Sequence, residues 1–189
     1  MQFGSIAKCE MEKIALHDKI FRLHISHCEL CKAVDLCASK INNDYQGYSP
    51  LFLSVLSGAF MFTSELMKRI TIPESEISFI KLSSYQGVTS TGNVTVELCG
   101  NKNFNGKDII IVEDMVDTGC SMHYLVEHLL KQGAKSVKIA AMFVKPGAIK
   151  YPVTVDYYGM ELENDFVVGF GLDYNEYGRH LPDLYVLDK

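Results

Sequence analysis

Predominantly apolar runs of strand length alternate along the chain with longer stretches in which apolar residues recur at helical spacing. The runs at 51–56, 108–112 and 136–144 are typical of strands that are buried on both faces of a sheet. A helical pattern follows each of the first two runs, one ending near Ile70 and the other at Gly133. This order predicts an α/β fold with a mostly parallel sheet and helices on both of its faces.

The segment before these runs predicts a strand that leads into a capped helix. Apolar and polar residues alternate over 21–25, which indicates a half-buried strand. Ser26 and Glu29 then have the spacing of a capping box, in which each side chain bonds to the backbone of the other residue. We therefore expect a helix that begins after Ser26 and runs to about Asn42.

A polar loop separates two further predicted strands, at 77–82 and 93–98. The loop, 83–92, is rich in hydroxyl groups and glycine, and it is interpreted either as a mobile lid or as an ordinary hairpin connection. Beyond residue 151 the pattern shortens, which predicts a small attached lobe. Its brief strand candidates lie at 153–157, 166–168 and 184–186.

Composition places the chain among globular proteins and excludes several classes of function. Of the 189 residues, 48% are hydrophobic and 22% are charged, unlike disordered or collagenous chains. The net charge is −5 and no run of Lys and Arg is present, which argues against a nucleic-acid partner. The longest apolar stretch, 51–62, is interrupted and is shorter than the ~20 residues of a membrane helix. We expect a soluble, cytoplasmic protein without a membrane partner.

The segment 109–121 carries the clearest chemical signal. A buried strand ends in two acids, Glu113 and Asp114, and a short loop then turns into a helix. Backbone N–H groups from Asp117 onward therefore lie near a helix N-terminus, which favours a phosphate group. Thr118 and Ser121 add hydroxyl donors, and a glycine between them allows close approach of a ligand to the backbone.

This segment has two other interpretations. The acids could end a Walker B-like strand, but the chain contains no G-x-x-x-x-G-K-[ST] motif, so a nucleoside-triphosphatase is not supported. Asp117 could serve only as a helix cap, but that role would account for just one of the three acids in the segment. Three acids around a phosphate cradle suit a sugar phosphate with a vicinal diol better than a bare anion.

The string from Val112 to Ser121, two acids followed by Asp-Thr-Gly, resembles the 5-phosphoribosyl-1-pyrophosphate signature of the type I phosphoribosyltransferases. Other segments are similar to the hypoxanthine-guanine branch, and together they extend over about 21–187. They are the loop with Ser84-Tyr85 and Ser90-Thr91-Gly92, the Val144-Lys145-Pro146 corner, and the string 166–177. The resemblance implies the type I phosphoribosyltransferase fold as a single domain 1–189, with a core of about 26–156 and a hood of about 1–25 and 157–189.

The resemblance also implies roles for residues around the phosphate loop. Glu113 and Asp114 are expected to be catalytic, facing the ribose hydroxyls and Mg²⁺, with Asp173 as a third, magnesium-linked acid. Asp117 is the expected general base or acid at purine nitrogen 7. The ribose 5-phosphate is expected on Asp117, Thr118, Gly119, Cys120 and Ser121.

For the purine, the resemblance implies Lys145 as a donor to the 6-oxo group, Phe166 as a stacking ring, Val167 as a backbone partner, and Asp173. Adenine presents a donor at that position and is expected to be rejected. The pyrophosphate site and lid are expected at Ser57, Gly58, Ser84, Tyr85 and Arg179. Ser57 stands where much of the family carries Lys, so its backbone but not its side chain can replace that donor.

The implied reaction is the Mg²⁺-dependent transfer of 5-phosphoribosyl from phosphoribosyl pyrophosphate to nitrogen 9 of hypoxanthine or guanine. Its products are IMP or GMP and pyrophosphate, which is a purine salvage reaction, and the resemblance implies a homodimer or homotetramer. Two alternatives stay open at this stage. The chain could use another base, such as xanthine, or it could be a non-catalytic regulator that senses phosphoribosyl pyrophosphate.

Overall fold

The computed structural model describes residues 13–84, 94–98 and 102–188 of the chain. They form a six-stranded sheet, three helices and a separate four-stranded sheet. In the described part of the chain, no helix has both the length and the apolar composition to cross a lipid bilayer. In chain order the elements are β1 (Lys13–Leu16), β2 (Lys19–Ile25), α1 (His27–Asp44), β3 (Leu51–Leu56), α2 (Phe60–Met67), β4 (Glu76–Ser84), β5 (Val94–Leu98), β6 (Asp108–Val116), α3 (Cys120–Lys131), β7 (Ser136–Val144), a 3₁₀ turn (Pro146–Ala148), β8 (Tyr157–Glu161), β9 (Val167–Val168) and β10 (Leu184–Leu187).

The larger sheet has the strand order β5-β4-β3-β6-β7-β8, and all of its pairs except β4–β5 are parallel. Successive residues of the central strands face opposite cores. Ile110 and Val112 pack with α1 and α2, whereas Ile109 and Ile111 pack with α3. This two-sided burial explains the nearly continuous apolar sequence of the central strands and confirms the prediction of helices on both faces.

Local sequence signals fix the ends of two helices as predicted. Ser26 caps α1, its hydroxyl accepts from the Glu29 N–H, and the Glu29 carboxylate accepts from the Ser26 N–H at 3.0 Å. After α3, Gly133 adopts φ +87°, a left-handed conformation that stops the helix. The helix after β3 is shorter than expected, because α2 ends at Met67 rather than near Ile70.

Three predicted boundaries are wrong. Strand β6 does not stop before Glu113 but continues to Val116, because parallel pairing with β7 extends to Val144. Strand β8 begins at 157 rather than 153, and it pairs in parallel with β7 in the larger sheet. The segment 157–161 therefore belongs to the core and not to the hood, so the expected boundary at 157 lies too early.

The hood is the antiparallel sheet β1-β2-β10-β9, in which the central pair joins distant parts of the chain. One side of this sheet has its own cluster, made by Phe21, Val168 and Tyr185. Val167 and Val186 instead pack with the residues of α1 and α2. The hood is thus attached to the core through a shared apolar interior.

A buried hydroxyl pair fixes α2 on β3 and so positions the loop between them. The Oγ of Ser54 lies 2.7 Å from the Oγ1 of Thr63, and neither residue is exposed by more than 3%. Each hydroxyl is buried, and each is hydrogen-bonded only because the other is present.

Replacing Thr63 with Val tests this pair. The variant leaves the Ser54 hydroxyl buried and unpaired, so we expect the free energy of unfolding to fall by ~1–3 kcal/mol in urea denaturation. The double variant Ser54→Ala/Thr63→Val removes both hydroxyls and should recover most of that loss. A single variant as stable as the parent would show that the hydrogen bond contributes nothing.

Candidate active site

Strands β3 and β6 separate at their carboxyl ends and leave a crevice between them. Their pairing runs from Leu51↔Ile109 to Ser54↔Val112, while β3 continues to Leu56 and β6 to Val116. From β3 the chain proceeds to β4 on one side, and from β6 it proceeds to β7 on the other. Such a switch point at the carboxyl ends of parallel strands is the usual position of a ligand in an open α/β sheet.

The loop between β6 and α3 lines this crevice. Gly119, with φ +79°, is the N-cap of α3 and has no side chain to cap the helix, and the Thr118 hydroxyl accepts from the Cys120 N–H at 3.4 Å. The loop, together with Glu113 and the first residues of α3, lines a cavity of about 260 Å³. The predicted phosphate-binding residues Asp117, Thr118, Gly119, Cys120 and Ser121 all line this cavity. A helix N-terminus that opens into a cavity is suited to a phosphate group.

Segment 150–153, which is not among the predicted site residues, packs against this loop and holds its backbone in place. The Thr118 carbonyl accepts from the N–H groups of Lys150 and Tyr151, at 2.9 and 3.2 Å. A β-carbon at Gly119 would lie 2.6 Å from a methyl group of Val153, so the loop backbone rests directly on this segment. These contacts join segments that are about 30 residues apart in sequence, and no sequence motif predicts them.

Glu113 and Asp114 stand where β6 extends past its contact with β3. Asp114 Oδ1 accepts from the Met115 N–H at 2.6 Å, and Glu113 Oε1 accepts from the Asp114 N–H at 3.3 Å. Although Glu113 as a whole is only partly buried, its carboxyl is enclosed. Burial of that carboxyl, and then the neighbouring Asp114 charge, raise the pKa of Glu113 well above its ordinary value of 4.5.

Gly58 lies directly against the Asp114 carboxylate, so that a β-carbon at this position would overlap the carboxylate oxygen. The same loop contains the exposed Ser57, and the Leu56–Ser57 peptide bond is cis. On the other side, a β-carbon at Gly171 of the hood would overlap the Gly58 carbonyl oxygen. The predicted pyrophosphate loop is therefore packed between β6 and the hood, at the edge of the crevice.

The predicted purine residues approach one another at the end of β7. Lys145 is 8% exposed, and its Nζ donates to the Asp165 carbonyl at 2.9 Å. The next residue, Phe166, is 44% exposed and packs one side of its ring near Phe21 and Tyr174. Val167 follows in β9 and is buried. The Lys19 Nζ lies over the Phe166 ring, 5.8 Å from its centroid. A partly exposed aromatic ring close to a buried cation at a sheet edge can bind a flat heterocycle.

Asp173 and Arg179 form an ion pair within the hood, at 2.8 Å. The second oxygen of Asp173 accepts from the Glu176 N–H. Arg179 also donates to the Gly171 carbonyl at 3.1 Å. Because Gly171 abuts Gly58, the guanidinium lies next to the predicted pyrophosphate loop.

The three acids expected to bind metal do not meet in one place. Within 13–84, 94–98 and 102–188, no group of three or more His, Cys, Asp or Glu residues is arranged to hold a metal ion. Both oxygens of Asp173 are bound within the hood, one to Arg179 and the other to the Glu176 N–H, and its role as a magnesium-linked acid stays a prediction. The pair on β6 remains, and Mg²⁺ is commonly bound through one or two carboxylates plus substrate phosphates.

The predicted lid lies mostly outside the described residues. Ser84 ends β4 at the same edge of the sheet as the crevice, and β5 returns antiparallel from Val94. Tyr85, and the rest of the loop as far as residue 93, fall outside the part of the chain that the structure describes. The returning strand is confirmed, and the lid stays a prediction.

Comparisons with known proteins agree with this geometry. The model of the phosphoribosyl transferase domain family matches residues 26–175. The hypoxanthine-guanine phosphoribosyltransferase of Streptococcus pyogenes serotype M3 is 38% identical over 175 residues, covering 92% of this chain and 97% of that protein. The bifunctional protein TilS/HprT of Listeria monocytogenes is 35% identical over 174 residues, and the chain spans 27% of its length. A crystal structure of a Bacillus anthracis hypoxanthine-guanine phosphoribosyltransferase superposes with a TM-score of 0.82 at 32% identity, covering 88% of this chain and 98% of that one.

The raised pKa of Glu113 makes stability depend on pH in a defined direction. The folded protein binds this proton more tightly than the unfolded chain does, so the free energy of unfolding falls as the pH rises above about 4.5. The amide in Glu113→Gln does not titrate. We therefore expect the melting temperature of the variant, relative to the parent, to increase from about pH 5 to about pH 8.

The matched control is Glu163→Gln, which removes an exposed acid on the connection between β8 and β9. Its melting temperature relative to the parent should not show that increase. If the Glu113→Gln difference is constant over the same range, the enclosed carboxyl does not titrate as described.

Proposed function

The chain belongs to the phosphoribosyltransferase family, and from that premise we propose that it is a purine salvage enzyme that acts on hypoxanthine and guanine. It transfers 5-phosphoribosyl from phosphoribosyl pyrophosphate to nitrogen 9 of the base, releasing pyrophosphate and giving IMP or GMP. The observation that carries the proposal is the cavity at the start of α3, with the Glu113–Asp114 pair on the strand that leads into it. The hypoxanthine-guanine phosphoribosyltransferases among the relatives support the choice of base.

The sugar phosphate is proposed to bind along β6 and its loop. The 5-phosphate accepts hydrogen bonds from the first N–H groups of α3 and from the hydroxyls of Thr118 and Ser121. The ribose hydroxyls then lie toward Glu113 and Asp114, which accept hydrogen bonds from a vicinal diol. Segment 150–153 keeps the loop in place, because it bonds the Thr118 carbonyl through two N–H groups.

Enzymes of this family are generally Mg²⁺-dependent, and we propose the same of this chain. The carboxylates of Glu113 and Asp114 have the chemistry that Mg²⁺ prefers, and they stand beside the cavity where substrate oxygens would complete its shell. When bound, the ion neutralises phosphate charge and makes pyrophosphate a better leaving group. The net charge of −5 agrees with a polyanionic substrate that reaches the acids with a cation.

The base is proposed to stack on the exposed part of the Phe166 ring, with its 6-oxo group accepting from Lys145. The ammonium has three donors and uses one for the Asp165 carbonyl, so others are available for the base. Adenine presents an amino donor at the same position, which leaves two buried donors facing each other. An unpaired buried polar group of this kind costs ~1–3 kcal/mol. The backbone of Val167 pairs with the remaining edge of the purine.

In the transfer step, the bond from the anomeric carbon to nitrogen 9 forms as the bond to pyrophosphate breaks. The base must lose a proton as nitrogen 9 becomes a nucleophile, and Asp117 is proposed to exchange it at nitrogen 7. Pyrophosphate departs past the backbone of Ser57 and Gly58 toward Arg179. The loop containing Ser84 and Tyr85 is proposed as the lid that excludes water from the reacting sugar.

We also propose that the chain is a homodimer or homotetramer. Ile77 and Phe79 pair in register with Phe52 and Ser54, and so lie on the same sheet face as α2. Both are at least 36% exposed, as is Phe60 at the start of α2, which leaves an apolar face that a second copy can cover. A cytoplasmic location is proposed because its charged substrates and products do not cross membranes unaided.

The direct test offers purified protein Mg²⁺, phosphoribosyl pyrophosphate and one base at a time. Hypoxanthine and guanine should both give nucleotide, and kcat/KM for adenine should be lower by roughly 5- to 150-fold, the factor that ~1–3 kcal/mol of unpaired donor implies. Product formation is followed by absorbance and confirmed by mass. A preference for xanthine would change the assigned base, and no turnover with any base would favour the non-catalytic regulator.

Asp117→Asn tests the proton relay. The exposed side chain keeps its size and loses its basicity, so kcat should fall ~10²–10⁴-fold while the melting temperature stays at the parent value. Asp156→Asn is the matched control, because the amide oxygen can still accept from the Ile139 N–H. A kcat within about twofold of the parent would remove Asp117 from the mechanism.

A further inference from the structure

A tight turn in the hood carries an acid where the backbone favours glycine. Tyr174 and Tyr177 bond to each other through both backbone pairs, at 2.9 and 3.1 Å, and close a two-residue turn. The two residues between them, Asn175 and Glu176, have φ values of +52° and +69°. Left-handed conformations at both central positions favour Asn and Gly, so Asn175 suits its place and Glu176 does not. The turn itself does not require a carboxylate there.

The Glu176 carboxylate instead contacts Arg179. It lies 3.3 Å from Nη2, the same nitrogen that binds Asp173 at 2.8 Å. Two carboxylates thus share one guanidinium, so the group is negatively charged as a whole. The Glu176 side chain is 83% exposed, whereas those of Asp173 and Arg179 are 27% and 23% exposed. An exposed ion pair of this kind is weak and is readily exchanged for another anion.

The position of the guanidinium makes this exchange relevant to the reaction. Arg179 Nη1 donates to the Gly171 carbonyl, and Gly171 lies against the backbone of Gly58. Arg179 is therefore next to the loop through which pyrophosphate is proposed to leave. Nη1 is bound to Gly171, and Nη2 is shared by Asp173 and Glu176, so an anion that binds Nη2 has to compete with the exposed Glu176 carboxylate.

We propose that Glu176 is a positioning residue that acts through Arg179: it binds the guanidinium when the site is empty and competes with pyrophosphate for it. This inference rests on the proposed function, since it takes pyrophosphate as the leaving group. With Glu176 present, Arg179 is kept in place beside the loop, but its attraction for the polyanion is reduced. The acid therefore weakens product binding and promotes release of pyrophosphate.

The test compares Glu176→Gln with Glu176→Gly and Asn175→Gly. Glu176→Gly relieves a left-handed conformation that Glu disfavours, so it should raise the melting temperature, whereas Asn175 suits its position and Asn175→Gly should not. Only the two Glu176 variants remove the carboxylate. At low ionic strength, their inhibition constant for pyrophosphate should be about two- to fivefold lower than that of the parent. The difference should shrink as salt is added.

Pyrophosphate inhibition that is unchanged or weaker in Glu176→Gln overturns the inference, as does the same tightening in Asn175→Gly. Arg179→Gln separates this result from a failure of the proposed function. If Arg179→Gln weakens pyrophosphate binding while Glu176→Gln has no effect, only the role of Glu176 is wrong. If Arg179→Gln leaves pyrophosphate binding unchanged, the assignment of Arg179 to the leaving group is itself wrong.

Discussion

The lack of a side chain at residue 58 is the constraint on which the geometry of the site depends. On one side Gly58 meets the Asp114 carboxylate, and on the other its carbonyl meets Gly171 of the hood. A single methyl group at either glycine would overlap these neighbours. Three parts of the molecule, the β3–α2 loop, the acidic end of β6 and the hood, thus come into direct contact at one edge of the crevice.

The carboxylates near this contact are arranged at an energetic cost. Glu113 lies beside Asp114, and burial of its carboxyl together with the Asp114 charge raises the pKa of Glu113. A protein that needed only stability would place apolar residues there. The acids are explained by a ligand that brings hydroxyls or a cation to them, and the cavity at the start of α3 lies directly beside them.

Sequence predicted the central strands well because burial on both faces leaves a continuous apolar pattern. Strand β7 is found at its predicted bounds, and the capping box at Ser26 is present. The end of β6 was missed because Glu113 and Asp114 are polar, yet the pairing with β7 continues past them. Strand β8 was assigned to the hood because a short strand carries no sign of which sheet it joins.

For the site, the loop from Asp117 to Ser121 could be predicted because its chemistry lies in consecutive residues. Contacts between distant segments could not. Nothing in the sequence indicates that Lys150 and Tyr151 bond the Thr118 carbonyl, or that Asp173 is bound to Arg179. The position of Asp173 relative to the acids of β6 could not be predicted for the same reason, because it depends on how the hood packs on the core.

The pairing of β2 with β10 has a consequence for the order in which the protein is built. One strand precedes almost all of the core in the chain, and its partner follows it. During translation, the larger sheet and its helices can assemble while β2 still has an open edge. The pairing of β10 with both β2 and β9 brings Phe21 and Phe166 into one sheet, where their rings lie near each other. In a nascent chain, the proposed base-binding surface therefore forms after the proposed phosphate loop.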